Sequence, residues 1–274
     1  MQATPIAVEV ASLRLAEQSG VPAPHVHAVC DDASFVGAPF FVTSRVEGET
    51  IPRRVLRMVE ATPGLGATLA HQCGEALARL HAADPSGAHP LVRETAAGDA
   101  AAHALRGLEP SLGALLQPSP ALRLVLRWLE REKPAPPPRE SVLHGDFRNG
   151  NLIVNPEGLR ACLDWEISRM GDPMEDLGWL CQRTWRFRND ALEVGGFADL
   201  AALRGGYEAA GGTWRGESFH WWKVLGTFRW GLGLAGQAAA HLDGSVRSIV
   251  MAASGRRVAE LEYDALMLVR RDFA

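Results

Sequence analysis

Apolar residues recur at helical spacing in the first segment, Ile6-Ala7-Val8-Glu9-Val10-Ala11-Ser12-Leu13-Arg14-Leu15-Ala16-Glu17, which predicts an amphipathic helix ending before Gly20. Val21-Pro22-Ala23-Pro24 breaks that helix, and His25 to Cys30 follows as a short strand. The run from Ala38 to Val46 is apolar enough to predict a buried strand that leaves through Glu47-Gly48. Residues 66–82 set Leu69, Cys73, Leu77 and Leu80 on one helical face. From Asp84 to about Pro120 the chain is rich in Ala, Gly and Pro with weak periodicity, which predicts an irregular connection. Leu122 to Trp128 returns to helical spacing, and Lys133-Pro134-Ala135-Pro136-Pro137-Pro138 reads as an extended spacer. Two short apolar runs, 152–154 and 159–163, flank Asn155-Pro156-Glu157-Gly158 and predict a hairpin. Beyond Asp176 the pattern is helical and rich in tryptophan, and a last helix is expected from Val246 to Arg271.

The chemistry gathers around that hairpin. His144-Gly145-Asp146-Phe147-Arg148-Asn149-Gly150-Asn151 leads into its first strand, and Leu163-Asp164-Trp165-Glu166 follows its second. An acid before a short loop, an amide closing the loop and a second acid after the next apolar run is the layout of a phosphoryl-transfer site. Asp146 can accept a hydroxyl proton. Magnesium takes only one or two oxygens from protein, and the hairpin would bring Asn151 and Asp164 together to supply them. Each residue alone is an ordinary turn or strand-end residue; the combination carries the signal.

The pattern His-Gly-Asp-x-x-x-x-Asn followed by Asp-x-Glu resembles the aminoglycoside phosphotransferase and choline kinase family, which has a protein-kinase-like fold. The longer run from Asp164 to Leu177, with Gly171-Asp172-Pro173-Met174-Glu175-Asp176-Leu177, is most similar to the phosphotransferases related to the kinase-like domain found beside acyl-CoA dehydrogenases. The resemblance runs from about residue 8 to the C-terminus and is strongest over 141–181. It implies an α+β, bilobal fold with a shortened N-lobe over 1–48 and a mainly helical C-lobe over 49–274. It implies ATP as donor, Mg2+ as cofactor and a small-molecule hydroxyl as acceptor. Asp146 is then the catalytic base, Asn151 and Asp164 hold magnesium, and Glu166 reaches the second metal or the phosphates or is a solvated carboxylate. Arg148 either offsets charge on the transferring phosphoryl group or is an ion-pair partner. Backbone groups of Thr43, Ser44, Arg45 and Val46 would bind adenine at the hinge, and Glu9 would be the helix acid that pairs with a strand lysine. His144 is expected to orient the loop rather than titrate in catalysis, Asp172 to cap a helix opened by Pro173, and Asp176 to tie that helix to the loop backbone.

The expected strand lysine and Gly-rich cover have no counterpart in the sequence. Its two lysines, Lys133 and Lys223, lie far downstream. Either the recorded start falls too far downstream, or nucleotide-site elements are truly lost and the chain is a non-catalytic module binding a metabolite or partner; Arg14 or Arg45 standing in for the lysine is a further option. A metallophosphatase would need more clustered His and Asp ligands than the scattered histidines offer. In the tryptophan-rich part, Trp185, Arg186 and Arg188, then Trp221, Trp222, Phe228, Arg229 and Trp230, fall where the family builds its acceptor pocket, and the arginines tilt the expectation toward an anionic acceptor.

Composition narrows the classes. With 274 residues, 47% hydrophobic and a net charge of −4, the chain can bury a large core and does not suit nucleic acid as a partner. Cys30, Cys73, Cys162 and Cys181 are scattered, which points away from zinc or a disulfide framework and toward a reducing cytoplasm. No apolar run is long enough for a membrane span.

Overall fold

The computed structural model describes residues 5–270. In chain order the elements are α1 (Ile6–Gln18), β1 (Val26–Cys30), β2 (Phe40–Thr43), α2 (Pro52–Ala61), α3 (Leu65–Ala82), α4 (Pro90–Arg93), α5 (Ala100–Leu105), α6 (Leu108–Gly113) and α7 (Pro120–Arg131). There follow β3 (Ser141–Leu143), β4 (Leu152–Asn155), β5 (Gly158–Cys162), β6 (Arg169–Gly171), α8 (Met174–Leu180), α9 (Leu200–Ala209), α10 (Gly216–Leu242), α11 (Ile249–Ser254) and α12 (Val258–Val269). The chain forms two compact units. One is drawn from the stretch up to Ala100 and from Pro136–Arg215, the other from Ala101–Ala135 and from Gly216 onward.

The first unit is organised by α3, whose Leu69, Cys73 and Leu77 are fully buried as their spacing requires. This helix packs on α9 at very short range, because a Cβ on Gly74 or Gly206 would collide with backbone oxygens of Leu203 or His71. Among the described residues the unit holds three two-stranded antiparallel sheets, β1 with β2, β3 with β6, and β4 with β5, of which β3 and β5 pack on α3 and the β1–β2 pair meets α1. The β4–β5 hairpin forms where the turn residues predict it. Gln72 of α3 grips its turn, donating from Nε2 to Glu157 O at 3.1 Å and accepting Leu159 N–H at Oε1, 2.7 Å. Gly158 sits there at φ 115, and a Cβ would fall 1.9 Å from Gln72 Oε1. Glu49 exchanges both backbone bonds with Val154, which ties the segment after β2 to the hairpin.

The second unit is helical. Trp221 and Trp222 on α10 are buried edge to face, with ring centroids 4.9 Å apart, and Trp221 Nε1 donates to Leu129 O at the end of α7. Ser119 caps α7 by accepting Leu122 N–H.

Three expectations need correction. The strand predicted over 38–46 is shorter, Phe40–Thr43, and not buried: Val42 is 46% exposed, because β2 pairs only with β1 and its apolar residues lack a covering layer on both faces. The connection over 84–120 carries three short helices, α4 to α6, each held by a few buried Ala, Val or Leu residues that a periodicity reading passes over. The single helix expected from Val246 is two, joined by a 3₁₀ turn at Gly255–Arg257, where Gly255 lies so close to α10 that a Cβ would be 2.7 Å from Ala238 Cβ. The expected end of that helix, Arg271, lies outside the described residues. Among the described residues no helix is long and apolar enough to cross a membrane.

Replacing Gly158 by Ala forces a side chain into left-handed backbone against Gln72, so unfolding free energy should fall by about 1–3 kcal/mol. Urea denaturation followed by circular dichroism checks this; an unchanged midpoint would contradict the packing described.

Candidate active site

The loop between β3 and β4 is fixed from below by one buried carboxylate. Asp176, in the first turn of α8, accepts the backbone N–H of His144 at 2.8 Å and of Gly145 at 2.9 Å. Its Oδ2 also meets His81 Nε2 at 3.2 Å, and His81 Nδ1 meets the Tyr207 hydroxyl at 3.1 Å. Burial alone would push the Asp176 carboxyl up; the hydrogen bonds from His81 and Gly145 and the influence of both histidines outweigh it and hold the acid below the usual carboxylate range. Asp176 thus ties α8 to the loop as its position suggests. Asp172 also acts as expected, accepting Met174 N–H at 2.9 Å to cap α8, and it pairs with Arg215.

His144 is fully buried. Its Nδ1 accepts the Asp146 N–H at 3.2 Å, so the ring proton resides on Nε2, which donates to Leu163 O at 2.9 Å. Burial lowers the imidazole pKa more than Asp176, Asp146 and the Leu163 carbonyl raise it, so the neutral ring is favoured. Packed against Phe147 and Trp165, it bridges the two segments that carry Asp146 and Asp164.

Above this support the predicted residues converge. Asn151 Nδ2 donates to Asp146 Oδ2 at 2.7 Å and to the Asp146 carbonyl at 3.0 Å, and lies 3.4 Å from Asp164 Oδ2. Arg148 Nε donates to both Asp146 oxygens, at 2.9 and 3.0 Å. Asp164 follows β5 in left-handed backbone, φ 68, a conformation that Asp tolerates better than most residues and that turns its carboxylate outward, exposed, after the Leu163 N–H has paired with Asn151 O. Glu9 on α1 is half-buried, and its carboxyl is raised first by burial and then by Asp164 and Glu166. Those three acids therefore share one negative region.

This donor set suits a hard divalent cation. Commitment of Asn151 Nδ2 to Asp146 turns Oδ1 away from that acid, Asp164 presents exposed carboxylate oxygens, one of them 3.4 Å from the same amide nitrogen, and the negative charge felt at Glu9 would be relieved by a cation. Among the described residues no three His, Cys, Asp or Glu side chains form a group that could hold a metal ion by themselves.

Thr43 to Val46 lie apart from this acid cluster in the sequence, at the end of β2. The Ser44 N–H is already taken by His25 O, its hydroxyl meets His27 Nε2 at 2.8 Å, and Arg45 makes an exposed pair with Glu47. Of the arginines expected around an acceptor, Arg186 donates to the Cys181 and Asp190 carbonyls, Arg188 sits in left-handed backbone at φ 79, and Arg229, in the second unit, donates to Ala104 O, while neighbouring Arg183 pairs with Asp190. Trp221, Trp222 and Phe228 are core residues of that unit.

Two contacts escape a sequence reading. Trp179 Nε1 donates to Asp146 Oδ1 at 2.7 Å, although a tryptophan in the helical, tryptophan-rich stretch beyond Asp176 is ordinarily a core residue. Asn149 Nδ2 donates to Gly195 O at 2.9 Å and anchors the loop to the segment after α8. A signal for the first does exist: Trp179 follows Asp176 by three positions, and so shares its helix face.

Comparison with known proteins bears on the family and the fold. The family model described as "Phosphotransferase enzyme family" matches residues 2–217. Acyl-CoA dehydrogenase family member 11 of Pongo abelii is 30% identical over 160 residues, 58% of this chain and 20% of that protein, so the chain spans about a fifth of this relative's length. A Ralstonia eutropha protein assigned to the aminoglycoside phosphotransferases superposes with TM-score 0.73 at 23% identity, covering 98% of this chain and 85% of the other. Amicoumacin kinase, solved in complex with AMP-PNP, Ca2+ and Ami, superposes with TM-score 0.61 at 14% identity, covering 94% of this chain and 77% of the other.

Two consequences for stability follow from the buried support. Asp176→Asn leaves buried partners unmatched and should cost about 3 kcal/mol or more. Because the folded pKa of His144 lies below 6.5, the unfolded chain takes up a proton that the native chain does not, so stability should fall as pH drops below about 6.5, and again below the normal carboxylate range as Asp176 protonates. Denaturant midpoints between pH 7.5 and about 2.5 check both windows, with His144→Gln expected to flatten the upper one; an unaltered upper window would count against the neutral buried ring.

Proposed function

The chain belongs to the phosphotransferase enzyme family, and from that membership we propose that it transfers the γ-phosphate of ATP, with Mg2+, to a hydroxyl group of a small molecule. The observation that carries this reading is the convergence of Asp146, Asn151 and Asp164 through one amide, with Arg148 on the same base. A proton acceptor beside paired oxygen donors and a cation is what phosphoryl transfer requires, since little covalent chemistry falls to the protein.

In this reading Asp146 orients the acceptor hydroxyl and takes its proton as the oxygen bonds to the γ-phosphorus and the bond to the β–γ bridging oxygen breaks, leaving ADP. Asn151 Oδ1 and Asp164, with Glu166 as a further oxygen, would hold the divalent ion, which when bound neutralises charge on the phosphates. Arg148 supplies positive charge beside the base, and α1 brings Glu9 to the same region. Backbone groups of Thr43, Arg45 and Val46 are the candidates for adenine, the Ser44 N–H being already paired. The amicoumacin kinase complex with AMP-PNP and Ca2+ supports nucleotide and divalent metal use on this fold.

A second reading, a non-catalytic module that binds a metabolite or partner, is favoured by one observation: both lysines, Lys133 and Lys223, belong to the unit that does not carry the site. Kinase-type sites ordinarily place a lysine on the phosphates.

Calorimetric titration with MgATP separates the readings. The enzyme reading expects magnesium-dependent binding that Asp164→Asn weakens at least about tenfold, and Asp146→Asn is expected to bind MgATP normally while losing at least about a hundredfold in turnover. A folded protein that binds no nucleotide with or without magnesium contradicts the enzyme reading.

A further inference from the structure

We propose that Trp179 is a positioning residue for phosphoryl transfer: its indole N–H holds Oδ1 of Asp146, so that the carboxylate keeps its orientation when Arg148 releases it. The proposal rests on Asp146 being the base. An ionised carboxylate offers about four lone-pair positions. On Asp146, Oδ1 accepts from Trp179 Nε1 at 2.7 Å and Arg148 Nε at 3.0 Å, while Oδ2 accepts from Arg148 Nε at 2.9 Å and Asn151 Nδ2 at 2.7 Å. The acceptor hydroxyl therefore has no place to donate until one donor withdraws.

The three donors are not equivalent. Asn151 is buried, and the same amide nitrogen is also bound to the Asp146 carbonyl. Trp179 is a rigid ring on α8, three residues from Asp176, and that helix is locked to the loop by the Asp176 bonds to His144 and Gly145. Arg148 has a long flexible side chain, 26% exposed, and divides a single N–H between two oxygens. Its guanidinium carbon also lies 4.8 Å from the centroid of the Trp185 ring, which offers it a seat independent of the carboxylate. Arg148 is thus the donor that yields, drawn to incoming phosphate charge. Once it moves, a carboxylate held at Oδ2 alone could pivot about Asn151; the Trp179 bond to Oδ1 stops that rotation and leaves one freed position on each oxygen.

Two measurements on the full chain test this. In 1H–15N spectra, the Trp179 indole signal, assigned by its loss in Trp179→Phe, should lie downfield and move upfield in Asp146→Asn; a signal indifferent to Asp146→Asn overturns the contact and the proposal with it. In MgATP hydrolysis, with water as acceptor, Trp179→Phe keeps an aromatic side chain but removes the N–H, and should lower kcat about tenfold or more with KM for MgATP within about twofold. A kcat within about twofold of the parent assigns Trp179 to packing alone and overturns the role. A parent turnover equal to that of Asp146→Asn instead overturns the base assignment, a failure distinguishable from the first because the indole signal reports the contact without any activity.

Discussion

The carboxylate of Asp176 is the constraint on which the site depends. A buried anion is expensive unless hydrogen bonds and charge compensate it, and here two loop N–H groups and His81 do so. The same bonds that make its burial tolerable fix the backbone of His144 and Gly145, and hence the direction in which Asp146 leaves the loop. His81 extends the support to α3 and, through Tyr207, to α9, so the loop is referenced to the most tightly packed helix pair of its unit. Placing the charge anywhere else would satisfy neither the carboxylate nor the two N–H groups.

On that base, backbone pairing brings Asn151 and Asp164 together, and side-chain bonds from Asn151, Arg148 and Trp179 then hold Asp146. The β4–β5 hairpin sets Asn151 at one end and Asp164 just beyond the other, and the Leu163 N–H to Asn151 O bond closes the gap between them. The frame also holds Asp164 and Glu166 near Glu9, whose carboxyl is raised first by burial and then by those two charges. Like charges kept together by a rigid frame are a standing preference for a cation. The buried neutral His144 spans both segments from beneath, so its contribution lies in the tautomer it is held in and the atoms it joins.

Local signals made much of this legible in the sequence. Asn155-Pro156-Glu157-Gly158 specifies its hairpin through turn chemistry, the spacing of Leu69, Cys73 and Leu77 specifies α3, and Gly-Asp-Pro-x-x-Asp specifies both the cap and the buried acid of α8. What was hidden depends on contacts distant in sequence. The break at Gly255 is set by its approach to Ala238, and the exposure of Val42 by a partner layer that β2 does not have. The arginines at 183, 186 and 229 read as free cations until their partners at 190, 181 and 104 are seen. Trp179 was hidden differently: a tryptophan in an apolar helix is ordinarily core, and only the position of Asp146 turns its indole into part of the site.

The central claim is that one amide and one carboxylate, brought together by the hairpin, hold the metal that faces Asp146. Crystals grown with Mn2+ and a non-hydrolysable ATP analogue test it most directly, since the anomalous signal locates the ion without reference to the protein. The account predicts a single strong peak within about 2.2 Å of Asn151 Oδ1 and an Asp164 oxygen, with the terminal phosphate turned toward Asp146. A peak elsewhere, or nucleotide bound away from these residues, would contradict it.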